Sequence, residues 1–131
     1  MFKEKDIFQE SFQTTNEIYQ QFCELSKDLN PLHTNEPFAK GKGFLGKVMH
    51  GNILNAYLSY FIGECLPTKD VIIHSQSIQF KNPSYLGDNL NLTATITRVY
   101  ESVNTVEFKF NFKNVENKII AKGKIQIGLL K

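Results

Sequence analysis

The segment GNILNAYLSYFIGECL, residues 51–66, decides how the rest of the chain has to be arranged. It opens on a glycine and is stopped by Pro67, which predicts a single uninterrupted helix. Apolar side chains cover nearly all of its circumference, which is typical of a helix surrounded by protein. They are Ile53, Leu54, Ala56, Tyr57, Leu58, Tyr60, Phe61 and Ile62. We therefore expect a fold built around one central helix.

Three polar residues interrupt this apolar helix. Asn52, Asn55 and Ser59 follow one another at intervals of three and four, so they form one polar stripe along the helix. Such a stripe either lines a wet pocket or satisfies itself by hydrogen bonds to nearby backbone. The residues alone leave both interpretations open.

Beyond the helix, the hydrophobic period changes to the two-residue period of β-strands. Strands are predicted over residues 71–80, 89–100, 103–113 and 118–128, with a less regular candidate over 7–13. Turn residues at 101–102 and 116–117 favour antiparallel connections. The fold class predicted is α+β, with an antiparallel sheet wrapped around a long central helix.

The region before the central helix predicts two further helices. Thr14 and Glu17 have the spacing of a capping box, and apolar residues then follow on one side of a helix that runs up to Lys27. Residues 35–37, Asn-Glu-Pro, indicate the start of a short helix that continues through Lys40.

Between these two helices lies the hexapeptide DLNPLH, residues 28–33. Pro31 disfavours helical backbone at Asn30, so a loop is expected that can turn Asp28 and His33 towards one point. A carboxylate and an imidazole placed in this way form an acid–base pair. The alternative is that Asp28 and Asn30 only cap a helix end and form a turn, with His33 on the surface.

Length and composition bound the class of protein. With 131 residues, of which 41% are hydrophobic and 21% charged, the chain is expected to form one soluble domain over residues 1–131. A net charge of +2 is too small to favour nucleic-acid binding. The N-terminus has no signal-peptide pattern and the most apolar segment is too short to span a membrane, so a cytoplasmic protein is expected. Cys23 and Cys65 are isolated, which makes a zinc site improbable and predicts small core residues.

Three segments carry a resemblance to a known family. The first is SKDLNPLH, residues 26–33, with an aspartate and a histidine five apart around Asn-Pro. The second is VMHG, residues 48–51, with a serine eight residues past the glycine. The third is QSIQFKNP, residues 76–83, followed by Gly87-Asp88. Together they resemble the MaoC-like branch of the hot-dog fold, the (R)-specific enoyl-CoA hydratases, and the rest of the chain agrees in strand pattern.

This resemblance implies hydration of a trans-2-enoyl thioester to an (R)-3-hydroxyacyl thioester, or the reverse, without a metal or redox cofactor. Asp28 and His33 would hold one water and share the proton transfers. The backbone N–H of Gly51, at the amino end of the central helix, would stabilise negative charge on the thioester oxygen. Asn30 would orient the loop or the water, and Ser59 would hydrogen-bond the pair or the water.

Further residues near the expected site could be structural or could affect substrate specificity. His50 is expected to be structural, because the motif places it beside the glycine without a proton-transfer task. Bulky side chains of the central helix could shorten an acyl tunnel or face the sheet; they are Tyr57, Tyr60 and Phe61. Three lysines could meet the phosphates of coenzyme A or of carrier-protein phosphopantetheine, or form a solvated basic loop. These are Lys40, Lys42 and Lys47.

Two other functions stay open. A hot-dog thioesterase would bind the same kind of thioester and cleave it, with a carboxylate on or near the central helix, where Glu64 is the only acid. A non-catalytic acyl-thioester binding module would not need Asp28, His33 and Ser59. In each case a homodimer or higher homo-oligomer is expected, because a single curled sheet leaves a strand edge unpaired.

Overall fold

Five strands form one antiparallel sheet in the computed structural model, which describes residues 1–131. They are β1 (Ile7–Gln13), β2 (Val71–Phe80), β3 (Asn89–Tyr100), β4 (Thr105–Lys113) and β5 (Ile119–Leu129). Their order across the sheet is β1-β3-β4-β5-β2, and every neighbouring pair is antiparallel. The predicted strands and the antiparallel sheet are confirmed. The largest difference is at the start of β4, where a 3₁₀ turn over Glu101–Val103 delays the strand.

The helices lie between β1 and β2 along the chain. They are α1 (Asn16–Ser26), α2 (Pro31–Thr34), α3 (Glu36–Gly41) and α4 (Asn52–Tyr60), and α4 continues as a π-helical turn over Phe61–Cys65. The predicted central helix is therefore confirmed, with its last turn wound more loosely than an α-helix. None of the helices combines the length and apolarity needed to cross a membrane.

The core lies between α4 and the inward side of the sheet. Alternate residues of β3, β4 and β5 point inward and are almost fully buried, as the two-residue period requires. Phe61 at the end of α4 packs edge-on against Phe8 of β1 and Phe108 of β4. Edge-to-face aromatic pairs of this kind add to the free energy gained by burying their area.

Only one side of α4 is buried, so the expectation of a helix surrounded by protein is wrong. Ile53, Leu58 and Phe61 are at most 2% exposed, whereas Tyr60 is 53% exposed. Ala56 and Ser59 are exposed on the same outer side. One curled sheet covers one side of a helix, and no other element of this chain packs on the outer side.

The start of α1 also differs from the capping-box prediction. Thr15, one residue later than predicted, is the N-cap, and its side chain accepts a hydrogen bond from the N–H of Ile18. Thr14 is 1% exposed, and its hydroxyl lies 2.8 Å from the hydroxyl of Tyr57 on α4. The N-cap shifts by one residue because the Thr14 side chain is buried against Tyr57, which leaves Thr15 to cap the helix.

Gly123 of β5 provides a test of how closely the sheet is packed. An added Cβ would overlap the carbonyl oxygen of Ser77 on β2 and lie 2.8 Å from the ring of Phe110. Gly123→Ala should therefore lower the free energy of unfolding by about 2 kcal/mol, as overpacking does in other cores. Gly41→Ala is the control, because a Cβ there meets nothing within 4 Å. Equal denaturation midpoints for the two variants in urea would contradict this close packing.

Candidate functional site

Asp28 and His33 meet at one end of α4, as their spacing predicts. The Nε2 atom of His33 lies 3.8 Å from Oδ2 of Asp28. The histidine side chain is 17% exposed and the aspartate side chain 48%. The two side chains are therefore brought close together, with the imidazole largely sheltered and the carboxylate open to solvent.

The His33 imidazole is held in one orientation. Its Nδ1 lies 2.7 Å from the carbonyl oxygen of Val48, and since a carbonyl only accepts, Nδ1 carries the proton. In the neutral ring Nε2 then presents a lone pair towards Asp28. The Tyr19 hydroxyl donates to the backbone carbonyl of His33 at 2.7 Å, and burial raises the pKa of that hydroxyl, which keeps it a donor.

The backbone around the pair is more ordered than the predicted loop. α1 ends at Ser26, and Lys27 then takes a left-handed conformation with φ 58°. Pro31 begins the one-turn helix α2, which carries His33, because proline suits the first helical position. Asn30 caps this helix by accepting from the N–H of Leu32 at 2.9 Å. The cap of the alternative interpretation is thus present, beside the close approach of Asp28 and His33.

Gly51 lies at the amino end of α4 and lines the same cleft as Asp28 and His33. Its backbone N–H has no hydrogen-bond acceptor within the protein. A helix amino terminus favours negative charge at such a donor. The ring of Phe80 packs directly over this glycine, so a Cβ at Gly51 would lie 2.7 Å from the ring. A side chain at this position would therefore displace the Phe80 ring, which is half exposed.

The cleft has a volume of about 490 Å³. Its apolar walls include Met49, Leu54 and Phe80, and its polar part holds Asp28 and His33. The contributions of Met49, Leu54 and Phe80 were not predicted from the sequence. The only signal for Phe80 was its place at the end of a strand, two residues before Asn82-Pro83.

The three residues of the polar stripe on α4 have three different environments. Asn52 lines the cleft. Asn55 donates to Asn52 at 2.8 Å and accepts from Gln76 of β2 at 2.6 Å. Ser59 is exposed and does not line the cleft. Ser59 therefore lies apart from Asp28 and His33 in the folded chain.

The lysines expected near the cleft mouth are engaged elsewhere. Lys40 lies 3.7 Å from Glu36, Lys42 stands over the ring of Phe38, and Lys47 stands over the ring of Tyr19. These contacts favour the solvated-loop interpretation. Lys81, which sequence reasoning missed, is the lysine that lines the cleft.

The aromatic residues of the central helix do not narrow the cleft. Tyr57 stacks on Phe12, with ring centroids 4.4 Å apart, and Phe61 packs against the sheet. Tyr60 points to the exposed side. The alternative in which these side chains face the sheet holds for Tyr57 and Phe61.

Asp28, His33 and His50 have potential metal-ligand atoms within 4.8 Å of one another. However, His33 Nδ1 and His50 Nε2 are bonded to backbone carbonyls. The two donors that remain at the cleft surface are His33 Nε2 and Asp28 Oδ2. Protein zinc sites use three or four ligands, so this donor set is a poor match for a resident metal.

A five-stranded antiparallel sheet curled around one central helix defines a class of protein, the hot-dog domains. The sequence profile described as "MaoC like domain" matches residues 2–119. The chain belongs to this MaoC-like family.

Individual relatives agree with this assignment. The chain is 31% identical over 106 residues to the (R)-specific enoyl-CoA hydratase of Rhodospirillum rubrum, covering 81% of this chain and 73% of the relative. It is 27% identical over 126 residues to the mitochondrial 3-hydroxyacyl-[acyl-carrier-protein] dehydratase of Arabidopsis thaliana, covering 94% and 75%. The (R)-hydratase from Aeromonas caviae involved in PHA biosynthesis superposes with a TM-score of 0.90 at 25% identity, covering 98% and 97%. The hot-dog fold is thus confirmed.

Proposed function

We propose that this protein is a hydratase/dehydratase that interconverts trans-2-enoyl and (R)-3-hydroxyacyl thioesters. The observation that carries the proposal is the placing of Asp28, His33 and the unpaired N–H of Gly51 around one cleft. The names of the relatives support the reaction class, since they include both an enoyl-CoA hydratase and a hydroxyacyl dehydratase.

The distance between the two side chains suits a water. At 3.8 Å, Nε2 of His33 and Oδ2 of Asp28 are too far apart for a direct hydrogen bond. Both atoms are acceptors when His33 is neutral, so one water between them can donate a hydrogen to each. Its lone pairs are then free to attack C3 of the enoyl thioester.

The chemistry divides among three groups. The water oxygen forms a bond to C3 while the Asp28/His33 pair accepts the proton that the water loses. The electrons of the double bond move towards the thioester oxygen, where the Gly51 N–H and the helix end stabilise the charge. The pair then returns a proton to C2, which completes addition of water, and dehydration is the same path reversed.

We propose that the reaction needs no metal and no redox cofactor. Addition of water to a conjugated thioester changes no net oxidation state, so a redox group has no role. The two cleft-facing donors of the Asp28/His33 pair support acid–base work better than metal ligation. The substrate itself carries its coenzyme A or phosphopantetheine as the thioester.

A thioesterase is the weaker candidate. Glu64, the only acid on the central helix, is exposed and pairs with Lys69 at the far end of that helix. It does not line the cleft that holds Asp28 and His33. A carboxylate in that position has no access to a thioester bound near Gly51.

We further propose that the protein works as a homodimer joined at the free edge of β2. β2 is an outer strand of the sheet, and Ile72 and Phe80 along it are 51% and 52% exposed. Pairing this edge across a two-fold axis would cover it. Phe80 also lines the cleft, so the interface and the cleft would adjoin.

The acid–base roles are tested by replacing each member of the pair. Asp28→Asn and His33→Ala should each lower turnover of crotonyl-CoA on the order of a hundredfold or more, because general acid–base groups contribute that much. Asp70→Asn, an exposed aspartate in the loop before β2, is the control and should leave turnover unchanged. Loss of enoyl absorbance measures hydration, and a thiol reagent in the same cuvette measures hydrolysis. Free thiol release at the rate of absorbance loss would contradict a hydratase.

Asn30 is expected to act through α2. Asn30→Ala and Asn35→Ala each remove a side-chain N-cap, from α2 and α3 respectively, and each should lower the free energy of unfolding by about 1 kcal/mol. Only Asn30→Ala should lower turnover, by about tenfold, since α2 carries His33 and small displacements of reacting groups are costly. Equal turnover of the two variants would show that Asn30 only stabilises the fold.

Ser59 is expected to act across the dimer interface. Its stripe neighbour Asn55 is bonded to Gln76 of β2, so the exposed side of α4 lies beside the free strand edge. Ser59→Ala should lower turnover by about tenfold with little change in melting temperature. Light scattering at micromolar concentration should give twice the 15.0 kDa chain mass. A stable monomer with full activity would contradict both the dimer and the role of Ser59.

A further inference from the structure

We propose that His50 is a positioning residue that sets the place of Asp28 relative to His33. This inference rests on the proposed hydratase function and concerns a residue that the sequence analysis assigned only a structural role. Its basis is one hydrogen bond, from His50 Nε2 to the backbone carbonyl of Asp28, at 2.8 Å.

This hydrogen bond connects the Asp28 backbone to a part of the domain that is distant in sequence. The other hydrogen bonds of the segment 27–30 reach no further along the chain than residues 23 and 34. The bond from His50 spans 22 residues. Asp28, Leu29 and Asn30 are all exposed, so burial contributes little to holding them. Without His50, the carboxylate would depend on local turns for its position.

His50 is itself held rigidly. It is 3% exposed and packs against the ring of Phe22, with centroids 4.9 Å apart. Because the Asp28 carbonyl can only accept, Nε2 of His50 carries a proton. Its Nδ1 is buried without any partner. The hydrogen bond to Asp28 is therefore the one hydrogen bond that the His50 ring makes.

The same ring also supports the other member of the pair. The imidazoles of His33 and His50 stack with centroids 4.0 Å apart and an interplanar angle of 24°. His33 is bonded to Val48, two residues before His50. The segment 48–50 therefore holds His33 through a carbonyl and holds Asp28 through an imidazole. One stretch leading into α4 thus positions both His33 and Asp28, whose facing atoms lie 3.8 Å apart.

The test distinguishes the effect of the His50 hydrogen bond on kcat from the effect of its aromatic ring. An extended glutamine places its amide nitrogen about where Nε2 of histidine lies, whereas asparagine is one carbon too short. His50→Gln should keep kcat within about fivefold of the parent. His50→Asn, a matched amide, and His50→Phe, which keeps a stacking ring, should each lower kcat by about a hundredfold. KM should change by less than about threefold, because His50 is 3% exposed and offers little surface to a substrate in the cleft.

A double substitution distinguishes positioning from general loss of structure. If His50 acts through Asp28, adding His50→Asn to Asp28→Asn should lower kcat by less than about threefold further, since coupled residues are strongly non-additive. If His50 had only a structural role, His50→Asn would lower kcat by the same factor in the parent protein and in the Asp28→Asn variant. Circular dichroism at the assay temperature confirms that each variant is folded.

Each outcome decides the inference. Retained kcat for His50→Gln together with loss for His50→Asn supports it. Equal kcat for these two amide variants, whether high or low, overturns the inference. It is also overturned if the effects of Asp28→Asn and His50→Asn on kcat multiply fully in the double variant. Failure of the proposed function is a separate result, because the parent protein would then not hydrate crotonyl-CoA at all.

Discussion

The hydrogen bond from Nδ1 of His33 to the carbonyl of Val48 is the contact on which the site depends. It joins the one-turn helix α2 to the stretch that leads into the central helix, and Val48 returns a bond from its N–H to the carbonyl of Leu32 at 3.0 Å. Together these bonds fix both the tautomer of His33 and the direction of its free nitrogen. The proposed acid–base pair needs that nitrogen to face Asp28, and a backbone carbonyl sets its direction without adding a charge.

The central helix links this site to the rest of the fold. Its inward side buries Leu58 and Phe61 against the sheet, which fixes the helix as a rigid body. Its amino end is thereby held beside Asp28 and His33, where Gly51 presents an unpaired N–H. Packing and chemistry are thus connected through one element, because the burial that stabilises α4 also holds its positive end in place.

The fold persists at low sequence identity. The Aeromonas caviae (R)-hydratase shares 25% of its residues with this chain, yet the two superpose with a TM-score of 0.90. Cores accept many combinations of apolar residues if volume and pattern are kept, so identity can fall while the backbone persists. Close contacts accept fewer changes, as at Gly123, where the neighbouring strand leaves no room for a side chain.

The sequence by itself determined the elements and the close approach of Asp28 and His33. Period-two strands, the apolar helix before Pro67 and the DLNPLH hexapeptide are local patterns, and local patterns can be recognised without a fold. Only the tertiary structure decided which residues meet. Ser59 and Asn52 share one helical stripe, yet only Asn52 reaches the cleft, because the cleft lies at the amino end of α4 and Ser59 is about 10 Å further along the helix. His50 bonds to Asp28 across 22 residues of chain, and no local pattern specifies a contact whose partners are brought together by packing.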